Sequence, residues 1–217
     1  MQELYTHAGT QSSTQEVSKV LRNTYALLAM TITFSAAMAV TSMALGVPYL
    51  GLWMLLPYIG LLFLVEKTKN SAMGIVSVFA LTGWLGFSIG PIISYYIGVS
   101  GIEPILTALG GTALTFFVLS GYTLATKKDM SKYTGFLMTG LVVILVAMVA
   151  NWFLQISALS LTISCAFLFL SSMLIMWQTS EIIHGGERNY ISATVTLYVS
   201  LYNIFSILLS FLGGSDD

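Results

Sequence analysis

Charged residues are scarce in this sequence, and their scarcity excludes the soluble globular classes. Only 8% of the 217 residues are Asp, Glu, Lys or Arg, against about 25% in a typical soluble domain. Hydrophobic residues make up 56%, and the mean hydropathy is +0.86. The formal net charge of -1 provides no basic surface for a nucleic acid. The composition therefore predicts an integral membrane protein that contacts membrane lipid and binds no nucleic acid.

The groups from which most enzymes build catalytic or metal sites are also scarce. The chain has one cysteine, Cys165, and two histidines, His7 and His184. No intrachain disulfide is possible, and no Ser-His pair, aspartate pair or HExxH motif is predicted within the bundle. Glu181 and His184 are one helical turn apart, but two ligands are too few for a structural or catalytic metal site. We expect a solvated helix end there, and no enzyme activity, cofactor or metal.

Charge-free stretches predict seven transmembrane helices. A crossing needs about 20 mostly apolar residues, because a helix rises about 1.5 Å per residue and the hydrocarbon core is about 30 Å thick. Two crossings each fit in residues 23–65 and 133–180, and one each in 71–102, 104–126 and 189–212. We expect an all-α membrane domain over residues 21–212, after a polar, flexible cytoplasmic tail (1–20) and before a short extracytoplasmic end (213–217).

The positive charges lie on one side of the predicted membrane. Every Lys and Arg falls in the N-terminal tail or in the second, fourth or sixth loop, at Lys19, Arg22, Lys67, Lys69, Lys127, Lys128, Lys132 and Arg188. The opposite loops contain only Glu103 as a charged residue. Because short cytoplasmic loops are enriched in Lys and Arg, we predict a cytoplasmic N-terminus and, with seven crossings, an extracytoplasmic C-terminus.

The third predicted helix has two small residues followed by a proline. Gly86 and Gly90 are four residues apart on one face, and Pro91 follows directly, so a kink is expected there. Small residues at this spacing allow two helix backbones to approach closely. A broken helix can also expose carbonyl groups to a permeant ion. Helix packing is the favoured interpretation, and an ion site is the alternative.

A few polar side chains lie within or beside the predicted spans. Asn151 and Gln155 mark the turn between the fifth and sixth helices, and Asn203 lies in the seventh. Together with Glu181 and His184, these residues are either packing contacts between helices or the lining of a narrow polar path. No Asp, Glu, Lys or Arg, the usual sign of an ion path, is expected at mid-span.

Three segments of the chain resemble the Bax inhibitor-1 family. They are TALTFFVLSGYTLATKKDMSKYTGFLMTGLVVILVAMVAN at 112–151, LTGWLGFSIGPII at 81–93 and NYISATVTLYVSLYNIFSILLS at 189–210. The resemblance implies a seven-helix bundle with the last helix near its centre, in agreement with the span count. It also implies a multi-pass protein of the bacterial inner membrane, where the extracytoplasmic C-terminus predicted from the charges lies in the periplasm.

The resemblance also identifies two positions of interest. Calcium-leak members of the family have a pH-sensitive pair of aspartates, one at the cytoplasmic end of helix six and one in helix seven. Gln178 and Ser200 stand at the matching positions of this chain. Two close carboxylates raise each other's pKa and attract cations, whereas an amide and a hydroxyl do neither near neutral pH. We therefore expect no pH switch, and a hydrogen bond between Gln178 and Ser200 that holds the closed packing.

Within the family, the sequence is similar to a bacterial modulator of the membrane-embedded AAA protease FtsH. This similarity implies that the chain binds FtsH, along with the membrane regulators associated with it, as a poorly degraded substrate and limits proteolysis of other membrane proteins. A flexible tail on the cytoplasmic side gives such a motor a starting point. The alternative that the family implies is a calcium or proton leak channel, or a transporter of a small solute.

Overall fold

Seven α-helices account for most of the described chain. The structure is a computed structural model that describes residues 2–49 and 51–214, and it describes side chains from Gln15 onward, apart from that of Leu52. The helices are α1 (Gln2–Ala44), α2 (Leu55–Thr68), α3 (Met73–Ser100), α4 (Glu103–Thr126), α5 (Thr134–Leu154), α6 (Ser157–Ile183) and α7 (Tyr190–Gly213). Short 3-10 helices occupy Gly51–Met54 and Ser131–Tyr133. The described residues contain no strand, so the predicted all-α fold with seven helices is confirmed.

Six of these helices, α1 and α3 to α7, are long and apolar enough to cross a membrane. The exception is α2, whose 14 residues extend about 21 Å, less than the ~30 Å hydrocarbon core. The 3-10 helix before it extends the helical segment to residues 51–68, and α2 needs this extension to approach a full crossing. Seven crossings therefore remain a prediction.

The N-terminal segment, expected to be a flexible tail, is helical from residue 2. Helix α1 runs from Gln2 without a break, so residues 2–20 are helical and continuous with the first membrane helix. One glycine and no proline occur in residues 2–20, so nothing in the backbone chemistry stops the helix from extending outward. The boundary predicted after residue 20 is not a change in secondary structure. Residues 215–217 of the predicted C-terminal end lie outside the described residues.

The chain divides into two compact units. Unit 1 comprises Met1–Val99 and Glu181–Tyr198, and unit 2 comprises Ser100–Ser180 and Val199–Asp217. Unit 1 therefore contains α1, α2, nearly all of α3 and the first part of α7, while unit 2 contains α4, α5, most of α6 and the rest of α7. No side chain of α7 is exposed between residues 190 and 209. Helix α7 therefore has no fully exposed side chain over these residues, and its implied central position stays a prediction.

In unit 1, the backbones of α1 and α3 lie close together. Helix α3 is the most buried candidate span: 61% of its apolar 18-residue stretch is buried within the protein. A Cβ added at Gly86 would lie 2.8 Å from the carbonyl carbon of Ser35, and one added at Gly90 would lie 2.7 Å from the Cβ of Ser42. These glycines therefore form a close helix contact of the small-residue type. Pro91 follows them inside α3 without ending the helix.

Hydroxyl groups connect α1, α3 and α7 within unit 1. The Tyr198 OH group donates to the Thr82 carbonyl oxygen at 3.2 Å and forms a short hydrogen bond with Ser35 Oγ. Farther along α7, Thr194 Oγ1 lies 3.3 Å from the carbonyl oxygen of Thr24 in α1. Hydrogen bonds between membrane helices contribute about 0.6 kcal/mol each on average. These hydrogen bonds add little stability. Their main effect is to determine which residues of α1 face α3 and α7.

In unit 2, α5 and α6 pack through apolar residues at seven-residue spacing. Leu137 and Ile144 of α5 form one buried cluster with Ile163 and Leu170 of α6. Residues seven apart are nearly two helical turns apart and share a face. Only 11% of the apolar 18-residue stretch of α5 is buried. The faces of α5 that point away from α6 therefore suit contact with lipid tails.

Candidate functional site

Three consecutive polar residues are buried near the C-terminal end of α6. Gln178, Thr179 and Ser180 are each at most 2% exposed. Ser180 Oγ accepts a hydrogen bond from the backbone N–H of Met130 at 2.9 Å and donates one to the carbonyl oxygen of Lys128 at 3.1 Å. Ser180 therefore fastens the loop between α4 and α5 to α6, within unit 2.

Gln178 and Ser200, at the positions matched to the family's aspartates, are both buried in unit 2. Within the described part of the chain, Gln178 Nε2 has no hydrogen-bond partner. This nitrogen therefore donates no hydrogen bond to Ser200, and the expected bond between Gln178 and Ser200 stays a prediction. Matching two sequences aligns backbone positions, but it does not fix the side-chain rotamers that a hydrogen bond requires.

The unpartnered amide belongs to a regular row of polar side chains on α6. Ser157, Ser164, Ser171 and Gln178 follow one another at intervals of seven residues, which places them on one face of the helix. We call these four residues the α6 polar stripe. Their burial increases along the helix, from exposed Ser157 to fully buried Ser171. Ser171 Oγ, like Gln178 Nε2, lacks a hydrogen-bond partner among the described residues.

From the sequence, Ser157, Ser164 and Ser171 are expected to be small packing residues of helix six, and the row that they form with Gln178 was not recognised although its seven-residue spacing is visible. A buried donor without a partner costs about 1–3 kcal/mol, so its retention needs a physical reason. Amide and hydroxyl groups do not change charge near neutral pH. The stripe can exchange hydrogen bonds with water or a polar solute, but it offers no carboxylate to bind a proton or a divalent cation.

Asn151 and Gln155 build the turn between α5 and α6. Asn151 Nδ2 donates to Ser160 Oγ at 2.6 Å, and Asn151 Oδ1 accepts from the Ile156 N–H at 3.1 Å. Gln155 has a left-handed backbone conformation, with φ at 51°, and its N–H donates to the Asn151 carbonyl at 2.8 Å. These contacts give Asn151 a role in terminating one helix and starting the next.

The predicted polar residues do not gather at one place. Gln178 lies 21 residues after Ser157, the first residue of α6, which corresponds to about 31 Å along the helix. The turn with Asn151 is thus about a membrane thickness away from Gln178. Asn203 is half-buried on α7, three residues after Ser200. The structure therefore does not join Asn151 and Gln178 into a single cluster.

Glu181 and His184 lie at the end of α6, in unit 1. The carbonyl oxygen of Glu181 accepts hydrogen bonds from the N–H groups of Gly186 and Glu187, at 2.9 and 3.1 Å. Gly185 has φ at 76°, a conformation that favours glycine and ends a helix. His184 is exposed. Among the side chains that the structure describes, from Gln15 onward, no three of His, Cys, Asp or Glu are placed to hold a metal ion together.

Comparison with known proteins gives matches over nearly the whole chain. The family model described as "Inhibitor of apoptosis-promoting Bax1" matches residues 17–217. The chain is 52% identical over 214 residues to the "Modulator of FtsH protease YccA" of Escherichia coli (strain K12), with 98% of each chain covered. Identity and coverage are the same for the "Inner membrane protein YccA" of Escherichia coli O6:H1. An uncharacterized protein of Pseudomonas aeruginosa is 51% identical over 207 residues, which cover 94% of this chain and 93% of the relative.

Proposed function

The chain belongs to the Bax inhibitor-1 family, and on this premise we propose that it modulates the membrane-embedded AAA protease FtsH. In this proposal the chain has no catalysis of its own. It is a poorly degraded substrate that occupies FtsH, with its associated membrane regulators, and so limits proteolysis of other membrane proteins. The observation that carries the proposal is the 52% identity, over 98% of both chains, to a protein named as a modulator of FtsH.

A protease motor needs a segment that it can engage, and the start of α1 is suited to this. The first candidate span begins at Gln15, and from there the first fully buried side chain is Thr24. Residues 2–14 precede that span and continue its helix. Helix ends open locally at little cost in free energy, so a motor can begin to unwind α1 at this terminal segment. We place the engagement step before Lys19, with the N-terminus in the cytoplasm as the charge distribution predicts.

Resistance to extraction has a structural basis in the packing of α1. Gly86 and Gly90 of α3 lie in direct contact with α1, and Ser35 of α1 is hydrogen-bonded to Tyr198 of α7. Extraction of α1 breaks these contacts together, because all of them lie on the same stretch of helix. The bilayer core has no water to replace the lost hydrogen bonds. A slow first step of this kind makes a substrate that occupies the protease for a long time.

Degradation in proteoliposomes tests both parts of the proposal. The vesicles contain purified FtsH, this chain and a second membrane substrate. Removal of residues 2–14 should slow degradation of the chain several-fold without lowering its unfolding temperature. A Gly/Ser-rich segment of equal length should restore degradation, because a motor needs an unfolded length more than a particular sequence. Degradation at the same rate without the segment would reject the engagement step. An unchanged lifetime of the second substrate in the presence of the full chain would reject modulation.

A second candidate function, an ion or solute leak, is favoured by the α6 polar stripe. Ser171 Oγ and Gln178 Nε2 are buried without partners in the described chain, and unpaired polar groups inside a membrane bundle suit a hydrated path. The stripe has no carboxylate, which argues against selectivity for cations. Calcium or proton flux in liposomes with purified protein should then exceed that of empty vesicles and fall in Gln178→Leu. Flux equal to that of empty vesicles would reject a leak.

A further inference from the structure

Unit 1 has an open apolar groove between α1, α2 and α3, with a volume of about 560 Å³. Phe34 of α1 and Leu61 of α2 line two of its sides, and α3 lines it from Val76 to Phe87. The eleven steps from residue 76 to residue 87 extend about 17 Å along the helix. One leaflet contributes about 15 Å to a 30 Å hydrocarbon core. The groove therefore has the length of one acyl chain within one leaflet.

Positive charge lies at one end of this groove. Thr68 Oγ1 and Ser77 Oγ are 2.8 Å apart, so the end of α2 lies beside the first turns of α3, where the groove begins. Lys67 and Lys69 flank Thr68 in the sequence. Lys69 forms an ion pair with Glu66. Lys67 is exposed, and no carboxylate in the described part of the chain forms an ion pair with it.

The lining of the groove favours a lipid chain over a partner helix. Membrane helices associate through small residues and hydrogen-bonding groups. Gly83, the smallest residue of the lining, is already covered, because a Cβ added there would lie 2.6 Å from Phe34 Cε1. Trp84 Nε1 donates to the Met54 carbonyl at 3.0 Å, so its polar group is already paired. The rest of the lining is aliphatic and aromatic, which suits dispersion contacts with a hydrocarbon chain.

The geometry points to a binding site for one anionic phospholipid, with an acyl chain in the groove and its phosphate near Lys67. The acyl chain alone gives no preference between phospholipids, because all of them carry such chains. The headgroup gives the preference: one lysine near the membrane surface strengthens binding of an anionic headgroup about fivefold. This inference does not depend on any action on FtsH.

The fluorescence of Trp84, which lines the groove, reports the occupant. The other three tryptophans are first changed to Phe. Phosphatidylglycerol with brominated acyl chains should then quench Trp84 at about one-fifth of the mole fraction that brominated phosphatidylcholine requires. Lys67→Gln should remove this difference. Lys127→Gln, which changes an exposed lysine of unit 2, should leave the difference unchanged.

A second variant and a second measurement complete the test. Ala80→Phe places a ring in the groove and should reduce quenching by both lipids. Native mass spectrometry of the unaltered chain does not depend on the folding of any variant, and it should retain phosphatidylglycerol about five times as often as phosphatidylcholine. The site is overturned if both lipids quench Trp84 equally and are retained equally in native mass spectrometry. It is also overturned if Ala80→Phe leaves the quenching unchanged. Loss of FtsH binding in Ala80→Phe, with no lipid preference, would assign the groove to a protein helix and likewise overturn the lipid site.

Discussion

Gly86→Val is expected to force α1 away from α3 and destabilise unit 1. A Cβ at this position would lie 2.6 Å from Ser35 Oγ and 2.8 Å from the Ser35 carbonyl carbon, whereas packed carbon atoms sit about 3.5–4.0 Å apart. The carbonyl belongs to the α1 backbone, so relief requires movement of the helix. Ser35 Oγ is itself bonded to Tyr198. Overpacking costs about 1–3 kcal/mol, and valine recovers only a few tenths of that over glycine in helix propensity.

Thermal unfolding in detergent measures this loss. For a chain of 150–250 residues, 1 kcal/mol corresponds to about 2–4 °C, so Gly86→Val should lower the unfolding temperature by about 2–12 °C. The matched control is Gly98→Val on the same helix, because a Cβ at Gly98 meets nothing within 4 Å. The control should unfold within about 2 °C of the unaltered chain. If both variants unfold at the same temperature, the close contact between α1 and α3 does not stabilise the protein as argued.

Three further predictions concern other parts of the chain. Ser180→Ala leaves the buried N–H of Met130 without its acceptor, at a cost of about 1–3 kcal/mol. The variant should therefore speed amide hydrogen exchange in the loop over residues 127–133. Unchanged exchange would mean that other contacts hold the loop. Gln178→Leu removes a buried amide nitrogen that has no partner in the described chain and should raise the unfolding temperature by about 2–4 °C, whereas a fall would show that this nitrogen is paired in the membrane. Alkaline phosphatase is active only outside the cytoplasm. Fused to the C-terminus, it should be active in cells, as seven crossings from a cytoplasmic N-terminus require, while an inactive fusion would indicate six.

Helix boundaries were predictable where charges or turn residues interrupt the apolar stretches. The seventh helix, predicted over 189–212, is α7 at Tyr190–Gly213. The turn predicted around Asn151 and Gln155 separates α5 from α6. The short length of α2 was not predictable in the same way. Residues 45–54 (LGVPYLGLWM) are as apolar as the helix that follows, so hydropathy does not distinguish this connection from a membrane span.

Contacts between helices that are distant in the sequence were not predictable. Ser180 and Met130 are 50 residues apart, and Tyr198 and Thr82 are 116 apart. Each pair meets only when two helices have a particular rotation about their axes and a particular axial shift. The sequence identifies the hydroxyl groups, but successive residues on a helix point about 100° apart. A small error in rotation therefore exchanges one partner for another.

The order in which a motor meets the helices matters more, under the proposed function, than the total stability of the chain. Extraction from the N-terminus must first remove α1, which contacts α3, the most buried candidate span. Helix α5, with 11% of its apolar 18-residue stretch buried, would offer less resistance but is reached later. Gly86→Val should therefore accelerate degradation by FtsH more than Ile144→Ala, which empties part of the α5–α6 cluster at a cost of about 2–5 kcal/mol. If degradation instead follows the unfolding temperatures of the two variants, global unfolding limits the rate, and α1 has no special place in resistance.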